Sequence, residues 1–311
     1  MSALPSISVI TPTLNQRGYI EATIESVLHQ AYPNLEHLVV DGGSTDGTQE
    51  LLPTYREHLR WMIEPGMGQS AAINHGWQLA SGEVLTWLNS DDIYTPGALY
   101  KVGEYFQHHP EVDIVYGNCD MLSASGDILK AYPTRLFDLV ELVRSTINFI
   151  PQPATFIRRR VVEKTGLLDE TLSFVMDFDY WLRAGLQHRI EYCPEKLAGL
   201  RLHVTAKSVA QLGDFAAELV QIYKNFFSRD DLPPAIQAVE GEALANIYHR
   251  AADCAFWAGN FTAARHHLRH STHFRPWPPR ALWFWVYSGP VGLFLAERLS
   301  GNPYLPGKAE S

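Results

Sequence analysis

Residues 85–92 read LTWLNSDD, an apolar run that ends in two adjacent aspartates, Asp91 and Asp92. We expect a buried strand that delivers both carboxylates to the edge of a sheet, where open α/β folds bind their ligands. Mg²⁺ and Mn²⁺ prefer carboxylate oxygens and usually share their coordination shell with substrate phosphates. The alternative is that Asp92 or Thr95 caps a helix opened by Pro96, which explains one polar residue but not four in a row. The stretch therefore favours a metal or phosphate site.

Strand and helix patterns alternate on both sides of this stretch. Short apolar runs predict strands, and apolar residues at helical spacing predict the helices between them. Strand–helix–strand units predict parallel strands with right-handed crossovers, so the chain is expected to be an α/β protein with a twisted, mostly parallel sheet covered on both faces. The predicted strands are 6–11, 35–40, 60–63, 84–88, 113–116, 190–193 and 197–202, and the predicted helices include 18–29, 68–80 and 96–107.

Asp41 ends the second predicted strand at the same sheet edge as Asp91 and Asp92. A carboxylate there can accept hydrogen bonds from a base or a ribose, although Asp-Gly-Gly is also an ordinary turn sequence. No Gly-x-Gly-x-x-Gly motif follows the first strand, which disfavours a nicotinamide or flavin fold. Gln69 and Asn74 lie on the helix after the third strand, where they could face the ligand or the solvent.

A second acidic cluster lies in MDFDYWLR, residues 176–183, whose apolar spacing predicts a helix. Successive helix residues turn by about 100°, so Asp177 and Asp179 point to different sides. We expect Asp179 to bond the first-turn N–H groups and Asp177 to project into a cleft. His203 follows the strand 197–202. A single histidine is more often a structural residue than a ligand, but the position of His203 directly after a strand end favours a ligand.

Composition is that of an ordinary globular protein. The 311 residues are 46% hydrophobic and carry a formal charge of −9. Residues 265–311 hold six basic and two acidic residues, so this tail is +4 and the remainder −13. An acidic body argues against nucleic acid as a partner. The three widely spaced cysteines predict neither disulfides nor zinc, and the N-terminus lacks a signal peptide, so a cytoplasmic protein is expected.

The C-terminal third changes to helical patterns, so we place a catalytic domain at 1–212 and a helical region at 213–311. Residues 241–276 resemble one tetratricopeptide-like helical hairpin. Residues 277–300 are aromatic, with arginines nearby, but too short to span a bilayer. They suit attachment to an anionic membrane surface, peripheral on the inner membrane face; the alternative is that they pack as ordinary core.

Seven short motifs occur in order over residues 6–208, about two-thirds of the chain. They are ISVITPTLNQ, VVDGGSTDGT, GQSAAINHG, LNSDD, QPATF, MDFDYWLR and LRLH. Each is weak alone, but the ordered set resembles the family 2 inverting glycosyltransferases of the Rossmann-like GT-A fold. Members of that family bind a nucleoside diphosphate sugar. The nucleotide-sugar residues that we assign from this resemblance and from polar position are Thr11, Pro12, Thr13, Asp41, Gln69, Asn74 and Asp91.

The resemblance also implies a metal site and a catalytic base. Asp92 matches the ligand of Mg²⁺ or Mn²⁺, with Asp91 on the sugar nucleotide, and His203 matches a position that reaches the diphosphate or the metal. Asp177 matches the catalytic base. The sequence departs from the commonest pattern at Asn89, where aspartate often precedes Ser-Asp-Asp, and just before Asp177, where Met176 replaces an acidic residue.

The function implied is metal-dependent, inverting transfer of a sugar from a nucleoside diphosphate sugar to a hydroxyl of a glycan or lipid-linked acceptor. General-base help from Asp177 would be worth about 10²–10⁴ in rate, and the cation would neutralise the departing diphosphate. The alternative is a non-catalytic nucleotide-sugar-binding or scaffold protein on the same fold. Four carboxylates gathered around one cleft favour the enzyme.

Overall fold

The structure, a computed structural model, describes residues 3–203 and 212–274. Two compact units are present. The first comprises residues up to Leu139 together with Asn148–His203. The second combines Val140–Ile147 with residues that follow position 203, of which 212–274 are described.

The first unit is built on one mixed sheet, in which the described residues form nine strands. The spatial order is β3-β2-β1-β4-β8-β6-β9-β5, and β7 pairs with β6. The strands are β1 (Ile7–Thr13), β2 (Leu35–Asp41), β3 (Arg60–Ile63), β4 (Val84–Trp87), β5 (Ile93–Tyr94), β6 (Ile114–Leu122), β7 (Ile128–Ala131), β8 (Thr155–Arg158) and β9 (Ile190–Arg201).

One half of the sheet is parallel, as the alternating pattern predicts. β3, β2, β1 and β4 are joined by parallel pairings, and their carboxyl ends meet at one edge. There Thr13 pairs with Asp41 in register, and β4 ends at Trp87, two residues before the Asn89–Asp92 run begins. The predicted α/β class is confirmed, and the acidic strand ends emerge on the same side.

The other half of the sheet differs from the prediction. β8 was not predicted, and Ile190–Arg201 is one strand rather than two short ones. Among the described residues four strand pairings are parallel and four antiparallel, so the sheet is mixed. The polar run around Pro194 looks like a strand break, but the chain crosses it where the β6–β9 register shifts.

Helices cover the sheet and hold β4 in its centre. Trp77 and Trp181 contact the Trp87 ring, with ring centroids 5.5 and 5.8 Å apart. This packing fixes the helix that carries Asp177 against the strand that leads to Asp91. The helices of the first unit are α1 (Ile20–Leu28), α2 (Thr48–Leu51), α3 (Gln69–Leu79), α4 (Ala98–His108), α6 (Arg159–Thr165) and α7 (Met176–Gly185), and α5 (Leu139–Ser145) lies almost entirely in the second unit.

The second unit is helical in its described part. Its helices are α8 (Leu212–Phe227), α9 (Pro234–Gln237), α10 (Glu240–Trp257) and α11 (Phe261–Phe274). α10 and α11 form an antiparallel hairpin, in which Ser271 Oγ donates to the Ala245 carbonyl at 2.8 Å and the Tyr248 and His270 rings stack at 5.0 Å.

Two predictions about the C-terminal third are only partly covered. The hairpin assigned to 241–276 is described as far as residue 274, and the assigned boundary at 212 stays a prediction. The segment 277–300, proposed for the membrane surface, lies outside the described residues. No helix within the described ranges combines the length and hydrophobicity needed to cross a bilayer.

Candidate active site

Asp41, at the end of β2, has one satisfied and one unsatisfied oxygen. Its Oδ1 accepts the N–H groups of Gly43 and Ser44, each at 2.7 Å, and the Gln49 amide at 3.1 Å. Its Oδ2 is buried without a hydrogen-bond partner among the described residues, and so is the Thr13 hydroxyl beside it. A buried acceptor left unsatisfied costs about 1–3 kcal/mol. A ligand that brings an N–H or O–H group to this place would remove that cost.

Thr11, Pro12 and Thr13 form the last three residues of β1, and all are buried. Their polar groups are not equivalent. The Thr11 hydroxyl lies 2.9 Å from Nε2 of His37, and burial lowers the pKa of His37 to about 3, so the imidazole is neutral. Thr11 is therefore engaged within the sheet, and the Thr13 hydroxyl is the better placed of the two for a ligand.

The two polar residues predicted on α3 have different surroundings. Asn74 is buried; its Nδ2 donates to the Leu168 carbonyl and its Oδ1 accepts the Leu168 N–H, both at 2.9 Å. These bonds favour a structural role for Asn74 over the predicted contact with the nucleotide sugar, because the amide is already used on both sides. Gln69 is half-buried and donates to Asn89 Oδ1 at 2.8 Å. It therefore borders the LNSDD run.

The two adjacent aspartates differ sharply in exposure. Asp92 is 2% exposed, and its Oδ1 accepts the Arg201 N–H at 2.8 Å. Burial, and then the charge of Asp91, raise the pKa of Asp92 well above its usual range. The Asp91 side chain is 20% exposed, and its Oδ2 lies 2.9 Å from Nε2 of His203. Asp91 is therefore the more accessible carboxylate, and His203 faces it.

Strand pairing explains how residues so far apart in sequence meet. β5 pairs antiparallel with β9, with Ile93 opposite Gly199. Extending that register by two residues sets Asp91 opposite Arg201, and His203 follows. The Tyr19 ring, directly before α1, stacks on the His203 ring, and the two ring centroids are 4.8 Å apart. Arg201 and Tyr19 were not predicted as site residues, although Arg201 stands in the LRLH motif.

Asp177 lies in the first turn of α7 and is half-buried. Burial raises its pKa to about 6, and hydrogen bonds from the Phe178 amide and the Asn148 side chain oppose the rise. Asn148 Nδ2 donates to Asp177 Oδ2 at 2.9 Å. The Asp179 carboxylate instead pairs with Arg183 at 2.8 Å. The prediction that it accepts hydrogen bonds from the first-turn N–H groups is therefore wrong.

One segment, residues 148–154, contacts Asp177 directly and the aspartate pair through Asn89. Asn148 binds Asp177, and Gln152 Oε1 accepts the Asn89 amide at 3.1 Å while its Nε2 donates to the Trp87 carbonyl at 2.7 Å. Asn89 Nδ2 in turn lies 3.4 Å from Asp92 Oδ2. The structure thus links the base candidate and the aspartate pair through one segment. Asn148 and Gln152 were not predicted as site residues; the QPATF motif contains Gln152.

A divalent cation fits this donor set only with help from a substrate. In the described ranges no group of three or more His, Cys, Asp and Glu side chains is arranged to hold a metal. Mg²⁺ usually takes one or two carboxylates and completes its shell with phosphates and water, and Asp91 with His203 suits such a site. Asp92 was the predicted ligand. The geometry favours Asp91, because Asp92 is buried and one of its oxygens is bound to a backbone amide.

Known glycosyltransferases are similar to this chain in sequence. Residues 8–166 match the family model described as Glycosyl transferase family 2. The PGL/p-HBAD biosynthesis glycosyltransferase of Mycobacterium bovis is 29% identical over 232 residues, 73% of this chain and 84% of that one. The putative teichuronic acid biosynthesis glycosyltransferase TuaG of Bacillus subtilis is 40% identical over 106 residues, 32% of this chain and 42% of that one.

Solved structures share the fold at low sequence identity. TarS 1–349 of S. aureus in complex with UDP-GlcNAc has a TM-score of 0.65 at 19% identity, covering 90% of this chain and 83% of that one. The mannosyltransferase PcManGT of Pyrobaculum calidifontis, in complex with GDP-Man and Mn²⁺, has a TM-score of 0.61 at 20% identity, covering 97% and 83%. These likenesses confirm the predicted GT-A fold.

Proposed function

The chain belongs to glycosyltransferase family 2, and from this we propose that it moves a sugar from a nucleoside diphosphate sugar to a hydroxyl of a glycan or lipid-linked acceptor. The observation that carries the proposal is that β2 ends at Asp41 on the sheet edge where β4 leads into the Asp91–Asp92 pair, which His203 contacts. The segment that holds Asn89 through Gln152 also holds Asp177 through Asn148. TarS bound to UDP-GlcNAc and PcManGT bound to GDP-Man and Mn²⁺ share the fold, which supports a donor of this class.

The nucleoside end of the donor is assigned to the edge where β1 and β2 end. Asp41 Oδ2 and the Thr13 hydroxyl are buried there and have no hydrogen-bond partner within residues 3–203 and 212–274. The N–H groups of a base and the hydroxyls of a ribose are the donors that a carboxylate oxygen in this position can accept. This pairing would satisfy the carboxylate and orient the donor with its diphosphate toward Asp91.

Asp91 and His203 are the residues that would hold Mg²⁺ or Mn²⁺, with Asp92 behind them. When bound, such a cation neutralises the charge that develops on the departing nucleoside diphosphate. The chain's own contribution is orientation, because the 2.9 Å contact with His203 fixes the Asp91 carboxylate. Asn89 and the Arg201 amide fix Asp92 in the same way.

Asp177 is the proposed general base. It takes the proton of the acceptor hydroxyl while the acceptor oxygen bonds to the anomeric carbon and the bond to the diphosphate breaks. A single displacement of this kind inverts the anomeric configuration. The Asp177 pKa of about 6 suits the task, because the carboxylate is ionised at neutral pH yet more basic than an exposed aspartate.

The acceptor class is proposed from the relatives. TuaG is named for teichuronic acid biosynthesis and the mycobacterial relative for PGL/p-HBAD biosynthesis, which supports a cell-surface glycan or glycolipid precursor. A cytoplasmic enzyme at the inner membrane face would meet such a precursor. Contact of residues 277–300 with an anionic membrane surface belongs to the same proposal, and vesicle binding by the full chain compared with a chain ending at residue 276 would test it.

Thermal unfolding with nucleoside diphosphates tests donor binding directly. A ligand at a concentration one hundred times its dissociation constant stabilises the folded state by about 2.7 kcal/mol. UDP or GDP with Mn²⁺ should therefore raise Tm by several degrees. Inorganic phosphate with Mn²⁺ is the matched control and should give a much smaller shift. If no nucleoside diphosphate raised Tm with or without Mn²⁺, a scaffold without a donor site would be the better description.

The pH profile of turnover tests the base. Only ionised Asp177 can accept the acceptor proton, and its pKa is raised to about 6. Activity at saturating substrates should therefore fall about tenfold for each pH unit below about pH 6. The Asn148 side chain favours the charged form, so Asn148→Ala should move this acid limb upward by about one pH unit. Initial rates between pH 5 and 8 measure both effects.

A matched control separates this effect from general loss of structure. Asn118 also uses its side-chain amide within the fold, donating to the Pro194 carbonyl at 3.1 Å and accepting from the Tyr192 hydroxyl at 2.8 Å, and neither partner is a site residue. Asn118→Ala should leave the acid limb where it is. An acid limb in Asn148→Ala identical to that of the wild type would contradict the assignment of Asp177.

A further inference from the structure

We infer that Arg201 is a positioning residue that holds the aspartate pair in the arrangement in which Asp91 faces His203. The inference rests on the proposed function, because it assigns Arg201 a part in presenting the cation-binding carboxylate. Arg201 is 8% exposed and lies opposite Asp91 in the extended β5–β9 register. Its contacts tie together four parts of the site.

Arg201 touches each aspartate through a different group. Its backbone N–H donates to Asp92 Oδ1 at 2.8 Å, and its Nε donates to the Asp91 carbonyl at 2.9 Å. The first contact survives any change of side chain, whereas the second depends on the guanidinium. A side-chain substitution should therefore leave Asp92 anchored and release the backbone of Asp91.

The other end of the guanidinium is anchored outside the aspartate run. Nη1 donates to the Ala124 carbonyl at 2.9 Å and to the Ser123 carbonyl at 3.3 Å, in the turn between β6 and β7. The guanidinium carbon also lies 5.3 Å from the centre of the Tyr19 ring, and that ring stacks on His203. The Arg201 side chain thus holds the Asp91 backbone directly and contacts His203 indirectly, through the Tyr19 ring.

The positive charge of the Arg201 guanidinium also fits its position beside the two aspartates. The hydrogen bonds that the structure gives it go to neutral carbonyls, and burying a cation among neutral acceptors is unfavourable unless anions lie close by. Asp91 and Asp92 are the acidic residues beside the guanidinium, and its charge opposes the rise in the pKa of Asp92.

A purely structural arginine exists in the same unit and provides the matched control. Arg158 donates to the carbonyls of Val112 and Phe106, both at 2.8 Å, and lies 4.7 Å from the centre of the Phe106 ring. It therefore makes the same types of contact as Arg201, but with residues outside the candidate site. If Arg201 served only to tie loops together, the two arginines would respond alike to substitution.

The experiment compares Arg201→Gln, Arg201→Lys and Arg158→Gln by titrating Mn²⁺ into the UDP-bound protein, with Tm measured alongside. Loss of a residue that orients a ligand typically weakens metal binding about 10–100-fold, so Arg201→Gln should raise the Mn²⁺ dissociation constant in that range, and Arg201→Lys should recover part of the loss. Arg158→Gln should lower Tm without changing the Mn²⁺ dissociation constant. Steady-state rates of Arg201→Gln should show a raised donor KM and a nearly unchanged kcat at saturating Mn²⁺.

Wild-type Mn²⁺ and UDP affinities in Arg201→Gln, together with a lowered Tm, would overturn the inference and leave Arg201 a structural residue. If Arg201→Gln does not fold, Arg201→Lys decides: an unchanged Mn²⁺ dissociation constant overturns the inference, and a raised one supports it. Failure of the wild-type protein to bind UDP in the presence of Mn²⁺ would be a different result. It would refute the proposed function itself, and the role of Arg201 with it.

Discussion

Asp177→Asn is expected to lose sugar transfer while keeping its affinity for the donor. The asparagine amide preserves the size of the side chain but cannot take the acceptor proton, so turnover should fall about 10²- to 10⁴-fold. The nucleoside diphosphate is assigned to Asp41 and the aspartate pair, so its dissociation constant should change little. Single-turnover transfer and calorimetric titration of the nucleoside diphosphate measure the two quantities separately.

Asp179 offers a control two residues away on the same helix. Its carboxylate pairs with Arg183 at 2.8 Å, and Arg183 also donates to the Thr165 and Leu167 carbonyls at 3.1 Å. Asp179→Asn should therefore lower Tm and leave the turnover of the folded enzyme near that of the wild type. Near-native turnover in Asp177→Asn would show that another group accepts the proton.

Asp91→Asn is expected to have the larger effect of the two aspartate substitutions on metal-dependent donor binding. Asp91 is the more exposed carboxylate and faces His203, so its loss removes a proposed ligand of the cation. The Mn²⁺ dissociation constant should rise more than about 100-fold. In Asp92→Asn, where a buried supporting group changes, the rise should be about 10–100-fold. Titration of Mn²⁺ in the presence of UDP gives both values.

Asp120→Asn is the control for charge alone, since Asp120 is a buried carboxylate on β6 that pairs with Lys196. It should leave Mn²⁺ binding unchanged. A larger loss in Asp92→Asn than in Asp91→Asn would reverse the preference for Asp91 and restore the ligand first expected from the sequence.

The parallel half of the sheet and the family were predictable because their signals are local. An apolar run that stops at carboxylates specifies a buried strand and its functional end within eight residues, and the helices between strands show their own periodicity. The resemblance to family 2 glycosyltransferases used motifs of the same kind and is confirmed by the match over residues 8–166. The side-chain assignments at Asp41, Asp91, Asp92, Asp177 and His203 remain predictions that the geometry supports.

The antiparallel half could not be predicted because its strands are defined by distant partners. β8 is only four residues long and begins two residues after Pro153. It forms a strand because β4 and β6 pair with it on either side. For the same reason Asn148 beside Asp177, and Arg201 behind Asp91, carry no local mark of their role. Exposure is likewise invisible in the sequence, where Asp91 and Asp92 are chemically identical neighbours.

The position of β9 has a consequence for biogenesis. It is the last strand of the first unit to leave the ribosome, yet it occupies an inner place between β6 and β5. A nascent chain that ends before residue 190 already contains both aspartates but neither the guanidinium nor the imidazole that orders them. Its unpaired strands would be open to chaperones or to misassembly, and competence for the donor would arrive only when the final strand is inserted.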